Sequence, residues 1–458
     1  MNIVLLGAGE VGKQLAYTLC NKDNNIVVVD FSIKLLNRLK DKLDVMTLHG
    51  DCANFNVLAD AGIRNADLLI ATTGDDATNI LACQIAKHFN VKKTVCRLTS
   101  NDYFSEKHGY TPASLGIDHL IFPEDECVQR IIGALEYDII VEKVAYKHSK
   151  AQITAIRIPR SSPLSGIRIL DFPDPLLLAK IRFSVIIRDQ KLIMPHGDTI
   201  FAVGDEVYVA GDKDSIDSLI SFADPHCTPV KNIIIVGATR IGKKLAGRLI
   251  ALGYNVRLIE ESAKKGEELL DELSEKLMVI NGDPTDGDVL NEVGVNVCDA
   301  FISTSNDDEE NILTCILAKK RGAQKVITIT NKAEYVDIVP GISGIDCGFS
   351  PRLVAVNSVL SFLGTETAKV HAILQRAAAY VYELNVKPSS PICGKKISDY
   401  ERTLPVILSL VFRDGKMMPV TGELELKAED KVAAIATPQN IKRLEQHFKK
   451  KKLFDLNA

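Results

Sequence analysis

Short apolar runs alternate with longer amphipathic stretches along most of the chain. In the first 140 residues these runs are four or five residues long, and apolar residues between them recur at helical spacing. The six runs are Ile3–Leu6, Ile26–Val29, Val45–Leu48, Leu68–Ala71, Thr94–Leu98 and His119–Phe122. Continuous apolar runs indicate strands that are buried on both faces, and their alternation with helices predicts a parallel sheet covered on both sides. The pattern therefore predicts a Rossmann-like α/β domain.

After about residue 140 the pattern changes to short β segments separated by proline and glycine turns. The sequences ITAIRIP, FSVIIRD and EVYVAG show this change. They predict a separate α+β module of roughly 80 residues, because short alternating runs with frequent turn residues are typical of small antiparallel sheets.

The whole unit occurs twice. Residues 2–12 (NIVLLGAGEVG) match residues 232–242 (NIIIVGATRIG), and residues 66–79 match residues 298–311. The small modules repeat as well, since SSPLSG at 161–166 matches SSPICG at 389–394. A repeat of this length predicts duplicated domains. We therefore predict Rossmann-like, doubly wound parallel-sheet domains at 1–138 and 231–366, small α+β domains at 139–225 and 367–440, and a basic tail at 441–458.

The first glycine-rich loop has the sequence of a dinucleotide-binding turn. It consists of Gly7, Ala8, Gly9, Glu10, Val11 and Gly12, and it follows a predicted strand and opens a predicted helix. In such a loop the first glycine permits the tight turn, the second lets the backbone approach a pyrophosphate, and the third allows close helix packing. Asp30 ends the second apolar run, where a carboxylate accepts from ribose hydroxyls and repels a 2′-phosphate. The loop therefore predicts binding of NAD(H) rather than NADP(H).

The second glycine-rich loop is altered. It consists of Gly237, Ala238, Thr239, Arg240, Ile241 and Gly242. Thr239 stands where the second glycine is expected, and its side chain lies where a pyrophosphate would approach. Glu260 still offers a ribose acceptor and Arg240 adds a cation. Whether this loop binds a nucleotide, and which one, stays open at the level of the sequence.

Other nucleotide and catalytic motifs are incomplete. Both loops satisfy GxxxxGK, but Gln14 and Lys244 replace the hydroxyl residue that binds Mg²⁺ in a P-loop. Tyr103 and Lys107 have the spacing of a dehydrogenase Tyr-Lys pair without a serine partner, and we interpret them as one face of a surface helix. The acidic pairs at 75–76 and 307–310 suit the first turn of a helix. We identify no catalytic residues and no metal site in the sequence.

Composition narrows the class further. The formal net charge is -4, so no overall basic field attracts the chain to nucleic acid. The ten cysteines include no CxxC pair, which argues against a zinc or disulfide framework and favours buried thiols. No run approaches the roughly 20 apolar residues that span a bilayer, and the N-terminus reads as a strand rather than a signal peptide. Any membrane role is therefore expected to be peripheral.

Several of these motifs together resemble a known family. The strand-GAGEVG opening, the Gly-Asp pair after the third strand and the ATTGDDATN loop resemble the RCK/KTN domains, regulators of potassium conductance. The SSPLSG-type modules are similar to the RCK-C domain. Two such pairs in the order N, C, N, C resemble the tandem RCK/KTN family of peripheral subunits of Trk-type potassium uptake systems.

The resemblance implies a set of nucleotide contacts. In the first half they are the glycine-rich loop with Asp30, Asp51, Thr73, Gly74 and Arg97, of which Arg97 faces the phosphates. In the second half they are Gly237 to Ile241, Glu260 and Asn306. Ile329 stands in the second half where the first has Arg97, and this departure weakens the case for the second site.

The resemblance also implies a function without chemistry. NAD(H), with ATP or ADP at the same or the second site, would shift the angle between paired domains of a homo-oligomeric dimer or tetramer ring. This ring would gate the membrane subunit of a Trk-type potassium transporter from the cytoplasmic side, with indirect membrane contact and no nucleic acid partner. The alternatives are an NAD-dependent oxidoreductase with an unrecognised active site and a redox-sensing DNA regulator, for which no DNA-reading element is visible.

Two segments have alternative interpretations. The helices predicted at 124–135 and 351–363 are apolar, and they either pair domains or pack within the core of one chain. The lysines at 449–452 follow an amphipathic stretch, and they either contact anionic lipid or form a solvated tail.

Overall fold

A computed structural model describes residues 1–20, 24–146, 150–273, 277–332, 335, 338–364, 368–374, 376–377, 379–401, 406–418 and 420–449. The chain divides into two compact units. The first consists mainly of Met1–Cys127 together with Ser350–Phe362, and the second begins at Val128. Of the lysine-rich tail, only Lys449 falls within the described residues, so the interpretation of residues 450–452 lies outside them.

The first unit is built around a six-stranded parallel sheet. Its elements are β1 (Asn2–Leu6), α1 (Glu10–Cys20), β2 (Asn25–Asp30), α2 (Ile33–Lys40), β3 (Met46–His49), α3 (Phe55–Asp60), β4 (Leu68–Ala71), α4 (Asp76–His88), β5 (Lys93–Arg97), β6 (His119–Ile121) and α5 (Pro123–Ala134). The strand order is β3-β2-β1-β4-β5-β6. This is the predicted doubly wound arrangement, and each strand lies within one residue of the apolar run that predicts it.

Burial explains why these runs form the centre of the sheet. In β1, the residues Ile3–Leu6 are all at most 2% exposed, and every residue of β4 is buried. Val4 pairs in parallel register with Val27 on one side and with Leu69 on the other. A strand with neighbours on both edges and helices on both faces needs apolar residues at consecutive positions, which is why the runs are continuous rather than alternating.

A small antiparallel domain follows the first sheet in the chain. Its elements are β7 (Ile140–Ala145), β8 (Ala151–Arg157), α6 (Pro175–Leu178), β9 (Arg182–Arg188), β10 (Lys191–Ile193), β11 (Glu206–Asp212) and α7 (Lys213–Ala223). The sheet order is β10-β9-β11-β8-β7. Apolar side chains of β8, β9 and β11 pack against α7 in one cluster, which gives the predicted α+β architecture.

The second half repeats the larger sheet. Its elements are β12 (Asn232–Val236), α8 (Arg240–Ala251), β13 (Asn255–Glu260), α9 (Ala263–Leu273), β14 (Met278–Asn281), α10 (Gly287–Glu292), β15 (Ala300–Ser303), α11 (Asp308–Lys320), β16 (Lys325–Ile329), β17 (Cys347–Phe349) and α12 (Pro351–Phe362). The strand order, β14-β13-β12-β15-β16-β17, has the same topology as the first sheet.

The second small domain repeats the first in the same way. Its elements are β18 (Ala368–Leu374), β19 (Ala379–Asn385), α13 (Ile397–Glu401), β20 (Ile407–Arg413), β21 (Lys416–Met418), β22 (Lys431–Ala436) and α14 (Ile441–Phe448). The order β18-β19-β22-β20-β21 has the topology of the first small sheet. The fold thus confirms the duplication that the sequence predicts.

The helices that follow the last strand of each large sheet pack against the opposite copy. In the first unit, α12 lies against α1 and β6. The ring of His119 stacks on Phe362 with centroids 4.8 Å apart, and its Nε2 lies 3.0 Å from Ser358 Oγ. Within this chain, α12 therefore joins the two copies, which is the first interpretation given above, the pairing of domains.

The division between the units falls within α5, and its C-terminal part, in the second unit, ends beside a buried lysine of the second large sheet. The Nζ atom of Lys325 in β16 donates to the carbonyl oxygens of Ala134, Tyr137 and Ile140. Lys325 is 1% exposed, and its burial lowers the pKa of the ammonium group from the usual lysine value. A cation suits the C-terminal end of a helix, where carbonyl groups lack partners.

One local prediction is wrong. Tyr103 and Lys107 do not share a helix: Tyr103 lies in a turn and Lys107 in a single 3-10 turn at Glu106–His108. Ser105 and Tyr110 exchange two backbone hydrogen bonds, of 2.8 and 3.0 Å, which close a short hairpin over this segment. These hairpin bonds take the place of helical hydrogen bonds. Tyr103 and Lys107 therefore do not lie on one face of a helix, as a dehydrogenase Tyr-Lys pair would.

The acidic pairs are confirmed as helix-start residues. Asp75 is the N-cap of α4 and accepts from Thr78 N at 2.7 Å. Asp307 is the N-cap of α11 and accepts from Glu310 N at 2.9 Å. Of the helices in the described part of the chain, none has the length and apolar character needed to span a bilayer.

Candidate nucleotide-binding sites

The first glycine loop joins β1 directly to the N-terminus of α1. Gly7 has a φ of +96°, a conformation that favours glycine, and its N–H donates to Val29 O at 2.8 Å. A Cβ atom at Gly12 would lie 1.9 Å from Gly7 O, whereas one at Gly9 would meet nothing within 4 Å. Gly12 therefore serves close helix packing, while Gly9 leaves the helix N-terminus open to an anionic ligand.

Asp30 holds its carboxylate beside this loop. It is the last residue of β2, and its Oδ2 accepts from Ala8 N at 2.6 Å while Oδ1 accepts from Ser32 N at 2.7 Å. Each carboxylate oxygen can accept a second hydrogen bond. Asp30 is therefore fixed in place and can still accept from two hydroxyl groups of a ligand.

The end of β4 completes the crevice beside β1. Strand order reverses between these two strands, and ligands of open α/β sheets bind outside the carboxyl ends of strands at such a position. Thr73 and Gly74 follow β4. Thr73 donates through N and Oγ1 to Asn79 Oδ1 at 3.0 and 2.7 Å, and Asn79 Nδ2 donates to Arg97 O at 3.0 Å. The fully buried Asn79 thus joins the ends of β4 and β5.

Arg97 at the end of β5 retains an unused donor. Its Nη2 lies 3.0 Å from Glu124 Oε1. Its Nε and Glu124 Oε2 are buried and have no hydrogen-bond partner among the described residues. A buried charged donor without a hydrogen-bond partner raises the free energy of the folded state. A guanidinium group is also well suited to binding the phosphates of a nucleotide. The open Gly9 fits an anionic cofactor, and the guanidinium group of Arg97, whose side chain is 20% exposed, supplies a cation at the end of β5.

Three further predicted residues have more local roles. The Oδ1 of Asp51 accepts from Ala53 N at 2.8 Å in the turn after β3, while the preceding Gly50 N donates to Asp30 O at 3.2 Å. Val11 is 8% exposed and packs inward, so it faces a ligand only through its backbone. Glu10 is the first residue of α1, and its side chain makes a contact that the sequence does not predict.

That contact is an ion pair with Arg352. Arg352 Nη1 lies 2.8 Å from Glu10 Oε2, and the arginine side chain is 16% exposed. Arg352 stands in the first turn of α12, so a cation from the second half of the chain lies beside the first glycine loop. No motif marks this residue, and 342 positions separate the two partners.

Asn79 is also not identified from the sequence. An asparagine occupies the matching position of both repeats, Asn79 and Asn311, and this match could have indicated a shared structural role.

The second loop has the same framework with a different N-cap. Gly237 has a φ of +92°, and Glu260 accepts from Ala238 N at 2.6 Å and Ser262 N at 3.0 Å, as Asp30 does from its own loop. Thr239 Oγ1 accepts from Gly242 N at 3.2 Å and donates to Thr304 O at 2.8 Å. The threonine therefore occupies the helix N-cap that Gly9 leaves open.

A cleft lies at the carboxyl ends of β12, β13 and β15. Of the predicted residues, Gly237, Thr239, Glu260 and Asn306 line it, together with Glu261, Lys265, Ser305 and Glu310. Ala238, Arg240 and Ile241 are not among its lining residues, and the side chain of Ile241 is buried at 9% exposure. Ile329, at the position of Arg97, is 1% exposed and offers no charge to this cleft.

Substitutions at Gly12 and Gly9 of the first loop are expected to have different effects, the first on stability and the second on NADH binding. Gly12→Ala is expected to lower the free energy of unfolding by about 3 kcal/mol, because the new Cβ would overlap Gly7 O. Gly9→Ala is expected to leave stability unchanged and to weaken NADH binding about tenfold or more, because its Cβ enters only the open space. Thermal unfolding and calorimetric titration measure the two quantities. Equal destabilisation by both variants would contradict this assignment.

Both halves of the chain match known domain families. Residues 3–123 and 233–351 match the TrkA-N domain, and residues 153–224 and 381–449 match the TrkA-C domain. The fold and both sites thus define a tandem of two TrkA-N and two TrkA-C domains. The chain is 31% identical over 437 residues to the Trk system potassium uptake protein TrkA of Vibrio alginolyticus, covering 94% of this chain and 95% of that protein. The chain belongs to the TrkA family of Trk system potassium uptake proteins.

A second relative and two solved structures are similar to the chain over most of its length. The TrkA protein of Haemophilus influenzae is 29% identical over 461 residues, covering 99% of this chain and 100% of the relative. Among solved structures, the GsuK RCK domain superposes with a TM-score of 0.64 at 19% identity, covering 98% of this chain and 94% of that one. The GsuK channel bound to NAD gives a TM-score of 0.62 at 18% identity, with 98% and 78% covered. These structures share the RCK fold.

Proposed function

We propose that this chain is a nucleotide-binding regulatory subunit that gates a Trk-type potassium transporter in response to NAD(H) and adenine nucleotides. The proposal includes a position at the cytoplasmic face of the membrane, a homo-oligomeric ring, and the domain boundaries predicted above. It assigns no reaction to the chain.

The observation that carries the proposal is the geometry of the first crevice. Asp30 is fixed by two backbone N–H groups at 2.6 and 2.7 Å beside a helix N-terminus that Gly9 leaves open. A dinucleotide can place its pyrophosphate on that N-terminus and its ribose hydroxyls on the carboxylate. Binding of NAD to the GsuK channel, which has the same fold, supports this choice of ligand.

A route from the ligand to a change in shape starts at Glu10. A phosphate bound at the loop would lie close to the Glu10–Arg352 pair, because Glu10 is the first residue of α1, and Arg352 belongs to the helix that follows the last strand of the second large sheet. A nucleotide that draws the arginine towards its phosphates binds more tightly to one position of α12 than to another. A ligand shifts an equilibrium only through such a difference in affinity, which is the physical requirement for gating.

The test of the proposal is a titration of the purified chain with NADH, NAD⁺, ATP and ADP by calorimetry. We expect saturable binding, and we expect the absorbance of bound NADH to stay constant against a panel of carbonyl substrates. Absence of binding by all four ligands would refute the nucleotide site. Steady oxidation of NADH would refute the regulatory function and favour an NAD-dependent oxidoreductase.

A further inference from the structure

The second crevice differs from the first at two positions that bear on a pyrophosphate, because Thr239 replaces Gly9 and Ile329 replaces Arg97. We infer that it binds a ribonucleoside, or a nucleotide without a pyrophosphate group, and that it discriminates against the dinucleotide taken by the first crevice. This inference rests on the proposed function, because it assigns a ligand class to one of the two proposed sites.

The helix N-terminus of the second crevice is already capped. Thr239 Oγ1 lies 3.2 Å from Gly242 N and 2.8 Å from Thr304 O, so the hydroxyl both accepts and donates within the protein. In the first crevice no side chain occupies the equivalent position, since a Cβ at Gly9 would have open space around it. A pyrophosphate entering the second crevice would have to compete with the threonine side chain for space and for the Gly242 N–H.

The charges that line the second crevice also oppose a pyrophosphate. Its lining contains three carboxylates, from Glu260, Glu261 and Glu310, and one ammonium group, from Lys265. Like charges at close range raise the free energy of a bound anion, and the partly desolvated walls of a cleft strengthen the effect.

These charges are specific to the second copy. At the offsets of the repeat, Glu261 corresponds to Phe31, Lys265 to Leu35 and Glu310 to Thr78, none of which is ionisable at neutral pH. The arginine is lost in the same copy, since Ile329 replaces it. Among the lining residues the second crevice has therefore gained one net negative charge and lost the guanidinium group of the first, while Arg240, which replaces Glu10, does not line the cleft.

The ribose acceptor is nevertheless preserved. Glu260 makes the same two backbone contacts as Asp30, with Ala238 N at 2.6 Å and Ser262 N at 3.0 Å, and it lies in the lining of the cleft. A carboxylate held in this way accepts from the two hydroxyls of a ribose. Together with the blocked phosphate position, it leaves a site suited to a nucleoside.

The experiment uses equilibrium dialysis of the full chain with labelled NADH and labelled adenosine. We expect one NADH per wild-type chain, and one adenosine per chain when Asp30→Ala disables the first crevice. In that background Glu260→Ala should reduce adenosine binding at least tenfold, whereas the exposed Glu267→Ala should leave it unchanged. No adenosine binding in the Asp30→Ala chain, or equal binding with and without Glu260, would overturn the inference.

Exchange of the discriminating residues gives a second test. The variant Thr239→Gly, which reopens the helix N-terminus, should raise NADH binding to two per chain. The reciprocal Gly9→Thr places its side chain in open space, so it should fold and should lose NADH from the first crevice. Two NADH per wild-type chain, one of them removed by Glu260→Ala, would overturn this inference and leave the proposed function standing. Absence of binding by NADH, NAD⁺, ATP and ADP alike would overturn the proposed function itself.

Discussion

Replacing Asp30 with alanine is expected to weaken NADH binding about 100-fold in calorimetric titration. The carboxylate offers an acceptor to each of two ribose hydroxyls, and a hydrogen bond to a charged group contributes about 1.5 to 3 kcal/mol. At the lower end of this range, two such bonds contribute about 3 kcal/mol, which corresponds to roughly a 100-fold change in affinity. The substitution also removes the contacts with Ala8 N and Ser32 N, which keep the loop in position.

Two control variants separate these effects. Asp30→Glu should retain most of the binding, since Glu260 makes the same two backbone contacts in the second copy. Asp60→Ala, which removes an exposed carboxylate at the end of α3, should bind NADH as the wild type does. Unchanged NADH affinity in Asp30→Ala would place the dinucleotide elsewhere and contradict the assignment of the first crevice.

Replacing Asp430 with alanine is expected to lower the free energy of unfolding by about 3 kcal/mol. Asp430 is fully buried, and its two oxygens accept from Arg413 Nε and Nη2 at 2.8 and 2.7 Å. The second oxygen also accepts from Lys427 N at 2.8 Å. The variant leaves the guanidinium group of Arg413, whose side chain is 21% exposed, without its carboxylate partner and removes the acceptor of Lys427 N. Urea denaturation at pH 7 measures the loss.

The pH dependence of this loss has a definite sign. Although burial acts to raise the pKa of Asp430, the hydrogen bonds from Arg413 and Lys427 N hold it below its usual value. A carboxyl group whose pKa is lowered by folding stabilises the protein above its unfolded pKa of about 3.9, and the stabilisation is lost as the pH falls through the folded pKa. The difference between wild type and Asp430→Ala should therefore shrink below about pH 4.

An exposed pair provides the matched control. Glu423 and Lys396 lie 2.6 Å apart, and their side chains are 78% and 53% exposed. Glu423→Ala should leave the free energy of unfolding nearly unchanged, because water and salt screen such pairs. Equal losses in Glu423→Ala and Asp430→Ala would show that burial of the Arg413 pair adds nothing.

Much of the fold follows from local pattern. The strands of the large sheets coincide with continuous apolar runs, because a strand covered on both faces has no position that must be polar. The repeat predicts the shared topology, and the glycine spacing predicts the tight turn at Gly7 and the close helix packing at Gly12. The change from Gly9 to Thr239 is visible in the sequence, and the structure shows that this threonine caps the helix.

The remaining features depend on contacts between distant parts of the chain. Arg352 pairs with Glu10 because α12 packs against the opposite copy, and no local pattern distinguishes that packing from the ordinary one. Lys325 reads as the polar start of a strand, yet it is buried against the end of α5. The prediction of a helix at Tyr103 is wrong because the backbone groups of Ser105 and Tyr110 form hairpin hydrogen bonds instead of helical ones.

The central claim is that a nucleotide in the first crevice controls potassium uptake. The most direct test is potassium flux into liposomes that contain the membrane subunit of the Trk system from the same organism, with this chain added outside in wild-type or Asp30→Ala form. We predict that NADH changes the flux with the wild-type chain and has no effect at the same concentration with Asp30→Ala. Flux that is identical with and without NADH in the presence of the wild-type chain, under conditions where binding is saturated, would contradict the account.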